Sequence, residues 1–180
     1  MYFEDLTLCR YHTGALDANN WPVPLLAVGW LEQSHQYTQG VAPSSLTPRL
    51  QAFIAAAADA SLPYLNFRGL HSCTLCSPGV PAALLESSYI NLLIPGRRVV
   101  FASPAGIIHY ITDHSYLPPS EFIEAVNACP TYGSDDYHAA LREANGGHPN
   151  PMDTWMREYD ALLRDIRSKA KRAKRGDGNA

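Results

Sequence analysis

The sequence predicts a small α+β domain, and three observations support that fold class. The chain has 180 residues, 46% of them hydrophobic, and no Gly/Ser-rich linker divides it, so it can form one sizeable core. Two β-rich runs flank a turn signal at residues 95–97. Helix-start signals built from a capping residue or a proline occur on both sides of these runs. We therefore expect one domain over residues 1–166 and a basic, disordered tail over residues 167–180.

In the first third of the chain, an apolar run predicts a strand and a proline predicts the start of a helix. Residues 1–24 are rich in turn-forming residues and predict an irregular lead-in. The nearly continuous apolar run Leu25–Leu31 predicts a strand that is buried on both faces. Thr47 and Pro48 then predict a helix start, with Thr47 as the cap and Pro48 at the first helical position, where its missing N–H is not needed. We expect this helix to end near Ala60.

A β-hairpin followed by a helix is predicted in the middle of the chain. Tyr89–Ile94 and Arg98–Ala102 are the two expected strands, because both contain β-branched and aromatic residues and are separated by turn residues. Ser103 is expected to cap the helix that follows, with Pro104 in its first turn. The hairpin should therefore lead directly into that helix.

Three further helices are predicted in the last third. A proline pair introduces a helix over residues 120–128, where acidic side chains lie near the positive end of the helix dipole. A second helix over residues 135–144 is closed by two consecutive glycines. Pro151 begins a long C-terminal helix whose apolar residues, Leu162 and Ile166 among them, recur at steps of three and four. We expect that apolar face to dock on the body of the domain.

The charge distribution separates an acidic body from a basic end. Residues 1–156 carry 6 basic and 13 acidic side chains, and the rest of the chain carries 8 and 4. An acidic body is unsuited to duplex DNA, because nucleic-acid affinity comes mainly from phosphate neutralisation. Contact with nucleic acid is expected only through the basic tail, whose charges also complement the helix dipole and are commonly just solvated.

The N-terminus lacks the basic and apolar segments of a signal peptide, and no apolar stretch approaches the roughly 20 residues of a membrane span. The sequence therefore predicts a cytoplasmic protein without membrane contact. Four cysteines are too few for a disulfide scaffold in a chain of this length. Cys9 and Cys129 stand alone, and we expect both to be buried as small apolar side chains.

Two closely spaced pairs of metal-ligating residues flank the predicted hairpin. Cys73 and Cys76 are separated by two residues, and His109 and His114 lie on the helix after the hairpin. Two thiolates and two imidazoles suit a tetrahedral zinc ion. Residues five apart on an ideal helix diverge by about 140°, so His114 is expected where the helix loosens or ends. The sequence predicts a zinc knuckle, β-hairpin and helix unit embedded in the mixed domain.

Two residues next to the knuckle leave alternatives open. His71 is a candidate for replacing one of the four ligands, or for donating a hydrogen bond to one of them. Arg68 is a candidate for holding a phosphate if the unit belongs to a zinc-knuckle nuclease, in which His71 would act as the base. Both residues are therefore retained as candidate site residues beside the four ligands.

Three segments resemble an uncharacterised bacterial family with a zinc-finger-like domain. They read VGWL from Val28 with His35 and Gly40 after it, RGLHSCTLC from Arg68, and SPAGIIHYITDHSYLPPSEF from Ser103. The family pattern is VGWL, then RGxHxCxxC, then AP followed by HYIxxHxYxPPxEF, and Ser103 departs from it because alanine is expected there. The resemblance covers residues 25–126 and implies a shared zinc-domain fold and a bacterial source, with no activity attached.

The ligand pattern favours a binding role over a catalytic one. A catalytic zinc keeps one position open and has a base nearby, for which Asp113 or Glu86 would be the candidate, whereas two tight ligand pairs describe a closed site. The sequence therefore predicts a zinc-stabilised protein-binding or regulatory module from a bacterium or phage. An immunity-like inhibitor of a basic toxin or nuclease is one such protein. A zinc-knuckle nuclease or another zinc-dependent hydrolase is the alternative.

Overall fold

The computed structural model describes residues 2–11, 17–59, 73–76, 90–149, 151, 157 and 161–169. Helices and strands both contribute to its core, and residues 161–169 are helical as well. The named elements in chain order are a 3-10 helix Ala18–Asn20, β1 Leu25–Ala27, α1 Leu46–Asp59, β2 Asn91–Pro95, β3 Val100–Pro104, α2 Ile107–Asp113, α3 Ser120–Ala128 and α4 Asp135–Ala144. The predicted small mixed α+β domain is confirmed.

The described residues form a three-stranded sheet with β3 in the centre. β2 pairs with β3 in antiparallel fashion, so that Leu93 lies opposite Ala102, and the predicted hairpin is confirmed. β1 runs parallel to β3 on its other side. All five residues of β2 are buried, and α1, α3 and α4 contact this strand. The hairpin thus forms the centre of the hydrophobic core.

The first two predicted elements differ from the structure at their ends. β1 stops at Ala27 instead of Leu31, because Gly29 adopts a left-handed conformation with φ of 77° that breaks the extended run. α1 begins at Leu46, so Thr47 lies inside its first turn and the prediction that Thr47 caps the helix is wrong. The backbone N–H of Leu46 already donates to the carbonyl of Pro43 at 2.9 Å.

Ser103 does not cap α2, and this prediction is wrong too. Ser103 belongs to β3 and is fully buried, and its hydroxyl has no hydrogen-bond partner among the described residues. α2 begins four residues later, with Gly106 at the N-cap and no side-chain capping bond. The strand continues through Ser103 because Leu92 of β2 pairs opposite it. The pairing with β2 thus overrides the local helix-start signal.

The helices α3 and α4 have the bounds that the sequence predicts. The hydroxyl of Ser134 caps α4 by accepting from the backbone N–H of Tyr137 at 3.2 Å. The C-terminal helix lies partly outside the described residues, and two of the side chains predicted to dock, Leu162 and Ile166, are about half exposed. The predicted docking of this helix therefore stays a prediction. Among the described helices, none combines the length and apolar character needed to cross a bilayer.

The outer edge of β2 is covered by two tyrosine side chains. The backbone N–H of Leu93 donates to the hydroxyl of Tyr132 at 3.2 Å. The hydroxyl of Tyr137 donates to the carbonyl of Leu93 at 2.9 Å, and the two rings are 4.4 Å apart. Both backbone groups of Leu93 that face away from β3 therefore have partners.

A half-buried carboxylate ties the N-terminal segment to the rest of the fold. Asp5 accepts from the backbone N–H of Gly29 at 2.9 Å and from the hydroxyl of Tyr116 at 2.8 Å. Burial, as the largest cause, raises the pKa of Asp5 above its usual value. Gly29 follows β1 and Tyr116 follows α2, so one side chain joins three separate parts of the chain.

Replacing Tyr116 with phenylalanine should destabilise the fold by about 2 kcal/mol, because the fully buried ring stays but the carboxylate of Asp5 loses a hydrogen bond. Urea unfolding followed by far-ultraviolet circular dichroism measures this change. Tyr37→Phe is the matched control, since the Tyr37 hydroxyl makes a longer bond of 3.3 Å to the carbonyl of His114 at a half-buried site. Equal effects of the two substitutions would contradict the role assigned to Tyr116.

Candidate metal centre

The structure brings the four predicted ligands together. Cys73 and Cys76 lie on a tight turn, His109 lies inside α2, and His114 is the C-cap residue of α2. One ligand atom from each of the four residues lies within 4.8 Å of the others. No other group of this kind occurs among the described residues. Residues separated by more than thirty positions in the sequence thus converge on one point.

Four of the distances between the ligand atoms are compatible with a tetrahedral metal site. His109 Nε2 and His114 Nε2 are 3.2 Å apart. Cys76 Sγ lies 3.3 Å from His109 Nε2 and 3.5 Å from His114 Nε2, and Cys73 Sγ lies 3.3 Å from His114 Nε2. Around a zinc ion with ordinary bond lengths, two nitrogens would be about 3.3 Å apart and a sulfur and a nitrogen about 3.5 Å. These four distances are compatible with zinc, and all pairs of ligand atoms, the remaining two included, lie within 4.8 Å.

His114 reaches this cluster because α2 ends there, as the sequence predicts. The backbone N–H groups of His114 and Tyr116 both donate to the carbonyl of Tyr110, at 3.2 and 3.0 Å. Ser115 between them has a left-handed backbone with φ of 52°. Since the chain leaves the helical path at His114, its imidazole is no longer directed about 140° away from that of His109.

An aspartate that the sequence suggested as a base holds His109 instead. Asp113 Oδ2 lies 2.9 Å from His109 Nδ1, and Thr112 Oγ1 donates to Asp113 Oδ1 at 2.6 Å. The carboxylate places a proton on Nδ1, which leaves the Nε2 lone pair free to bind a metal. Asp113 is therefore a positioning residue, and its spacing of four from His109 on one helix face is the signal that could have identified it.

Asp113→Asn should weaken zinc affinity about 10- to 100-fold while leaving the fold intact in excess zinc, because the histidine loses the carboxylate that orients it. Competition with a coloured chelator measures the affinity. Asp135→Asn serves as the control, since Asp135 is an exposed acidic residue on α4, and it should leave zinc affinity unchanged. An unaltered affinity in Asp113→Asn would show that His109 is oriented by its helix alone.

When no ion is bound, the surroundings of the cluster favour the neutral forms of Cys76 and His114. Cys73 is 5% exposed and the other three ligands are half-buried. Burial, followed by the neighbouring Cys73 thiol, raises the pKa of Cys76. Burial and the adjacent His109 lower the pKa of His114. A metal cation at this point would replace the thiol proton and neutralise the thiolate charge.

The cluster is also attached to the loop that follows β1. The backbone N–H of Gln33 donates to the Thr74 hydroxyl, in the turn 73–76, at 3.1 Å. On the helix side, Gly40 N–H donates to the carbonyl of Ser115 at 2.9 Å, and Leu117 N–H donates to the carbonyl of Thr38 at 2.9 Å. Residues 33–40 are thus held by both halves of the metal centre.

The other two candidate site residues lie outside the described part of the chain, and the two lone cysteines lie in the core. His71 and Arg68 lie outside the described residues, so their proposed roles stay predictions. Cys9 and Cys129 are buried, as predicted, with 0% and 3% exposure. Burial raises the pKa of each of these two thiols to about 11, which makes them poor nucleophiles and poor metal ligands at neutral pH.

One comparison with known proteins identifies a relationship. No curated protein and no solved structure matches the chain significantly. The sequence profile of a family described as "Domain of unknown function (DUF7919)" matches residues 1–127, which includes the knuckle, the hairpin and α2. Because this match covers most of the chain, the protein belongs to the DUF7919 domain family.

Proposed function

We propose that this protein is a zinc-stabilised, non-enzymatic domain that binds a basic protein partner. The observation that supports this proposal best is the convergence of Cys73, Cys76, His109 and His114, whose ligand atoms all lie within 4.8 Å of one another. Four protein ligands complete the coordination of zinc, whereas a catalytic zinc keeps a position for water or substrate. The ion would therefore stabilise the fold.

The contacts of Asp113 also favour a structural ion over a catalytic one. A base that activates a metal-bound water needs a free carboxylate beside that water. Both oxygens of Asp113 have partners, one in the imidazole of His109 and one in the hydroxyl of Thr112. Asp113 is therefore better suited to orienting the metal ligand His109 than to acting as a catalytic base.

The charge of the body supports a basic partner. Acidic side chains outnumber basic ones by 13 to 6 over residues 1–156. Complementary charge steers association and favours partners of opposite sign. The zinc would hold the knuckle, α2 and the loop 33–40 together, so that the surfaces built on these segments keep one shape.

The test combines metal analysis with capture of a partner from the native host. Purified protein should contain one zinc per chain, and the immobilised chain should retain a basic host protein that is released by raised salt. His109→Ala should lose both properties, while His148→Ala, which removes an exposed histidine, should lose neither. Absence of zinc would refute the proposal, and so would zinc-dependent turnover of a nucleic acid or an ester by the purified chain.

A further inference from the structure

A small pocket lies between the N-terminal segment and the loop after β1. Its volume is about 360 Å³, and it is lined by Tyr2, Phe3, Glu4, Asp5, Leu31, Gln36, Tyr37 and Thr38. We refer to it as the aromatic–acidic pocket, because its lining includes three aromatic side chains and two carboxylates. No lysine or arginine is among the lining residues in the described part of the chain.

Among the described residues, no lysine or arginine side chain pairs with the carboxylates of the pocket. Both oxygens of Asp5 accept hydrogen bonds from neutral donors, the N–H of Gly29 and the hydroxyl of Tyr116. Glu4 next to it is exposed. A half-buried carboxylate that is solvated only by neutral dipoles gains more from an approaching cation than one in open water, because the local dielectric constant is lower.

The aromatic rings of the pocket are held in place by other rings. Tyr2 stacks on His35 with ring centroids 3.6 Å apart. Phe3 meets Trp30 edge to face at 5.5 Å, and Tyr37 contacts Tyr116 at 6.2 Å. Because these rings are already fixed, binding of a ligand costs less free energy for ordering the side chains of the site. Aromatic faces attract cations as well, so they act in the same direction as the carboxylates.

We propose that the aromatic–acidic pocket receives the ammonium group of a lysine side chain from the basic partner. This inference rests on the proposed function and names the chemistry by which the partner would be recognised. The pocket volume is near the lower end of the range for small ligand sites and suits one extended side chain. The aliphatic part would contact Leu31 and the rings, and the ammonium would meet Glu4 and Asp5.

The pocket should also depend on the metal centre. Its wall at Tyr37 and Thr38 is hydrogen-bonded to His114 and Leu117, which follow α2. Loss of the metal would release this wall together with the helix end. The test therefore uses the zinc-loaded full chain throughout, and zinc content is measured in every sample.

The test is a nuclear magnetic resonance titration of the isotope-labelled, zinc-loaded chain with the peptide acetyl-Gly-Lys-Gly-amide. Saturable shifts are expected at the amides of residues 2–5 and 36–38, with a Kd on the order of 1 mM for a single isolated side chain. The peptide with norleucine in place of lysine has the same aliphatic chain without the charge and should give no saturable shift. Equal responses to the two peptides would overturn the proposal.

Three variants test whether the lysine peptide binds in the aromatic–acidic pocket. Glu4→Gln and Tyr2→Leu should each weaken lysine-peptide binding about fivefold, because one removes a charge and the other a ring. Glu121→Gln removes an exposed charge on α3 and should leave binding unchanged. An equal loss in all three variants would mean that only the overall negative charge attracts the peptide, which contradicts a defined pocket.

Two further outcomes separate this inference from its alternatives. If n-butylammonium binds more than tenfold tighter than the peptide, the pocket takes a free amine and the assignment to a partner lysine is wrong. If a sample with one zinc per chain shows no response to the lysine peptide, the pocket proposal fails while the structural role of zinc stands. A chain without zinc would instead refute the proposed function itself.

Discussion

Cys73→Ser is expected to leave the purified chain without zinc and without a cooperative thermal transition. Zinc binding to a structural site contributes roughly 10–16 kcal/mol at neutral pH, whereas the net stability of a domain is only about 5–15 kcal/mol. Serine is a poor substitute for a thiolate, so one substitution should remove most of this contribution. Circular dichroism melting, with zinc quantified in the same sample, measures both effects.

Cys129→Ser is the matched control, since Cys129 is as buried as Cys73 but is not part of the cluster. It should cost about 2 kcal/mol for the buried hydroxyl and should retain one zinc and a cooperative transition. The structural role of the metal would be contradicted if Cys73→Ser lost its zinc and still melted cooperatively within a few degrees of the unsubstituted protein.

Gly29→Ala should destabilise the protein by about 3 kcal/mol, the second largest effect that we expect. Gly29 has φ of 77°, and a Cβ atom built there would lie 2.8 Å from Cγ1 of Ile107. The left-handed backbone costs about 1–2 kcal/mol for a residue with a side chain, and the close contact adds an overpacking penalty. Ile107 is the first residue of α2, so its displacement should also weaken zinc binding.

Gly133→Ala separates these two contributions. Gly133 has a similar φ of 80°, but a Cβ atom there would meet nothing within 4 Å. This control should therefore cost about 1 kcal/mol from the backbone alone and leave zinc affinity unchanged. Urea unfolding and chelator competition on both variants measure the difference. Equal losses of stability would show that the contact with Ile107 is relieved by a small shift of α2.

The parts of the fold that were predictable from the sequence depend on interactions over a few residues. Helix α3 follows a proline pair, and α4 has a serine that caps its start and glycines that end it. These signals act within one turn of helix, and neighbouring elements did not change them. The convergence of His109 and His114 was predictable for the same reason, because the position of a helix end is a local property.

The parts that were not predictable depend on contacts distant in sequence. Ser103 and Pro104 resemble a helix start, yet β3 extends through them because Leu92 and Asn91 of β2 pair with them. The parallel pairing of β1 with β3 joins segments about 75 residues apart and leaves no local pattern in either strand. The pocket beside Asp5 escaped prediction because its walls come from two separate segments.

The two tyrosine hydroxyls bonded to Leu93 have a consequence for assembly. An edge strand with free N–H and carbonyl groups is a template on which another chain can add a strand, which leads to aggregation or to strand exchange. At Leu93 both groups are already occupied by Tyr132 and Tyr137. Among the described residues, this edge of the sheet is therefore closed to backbone pairing at Leu93, so an added strand could not pair continuously along β2.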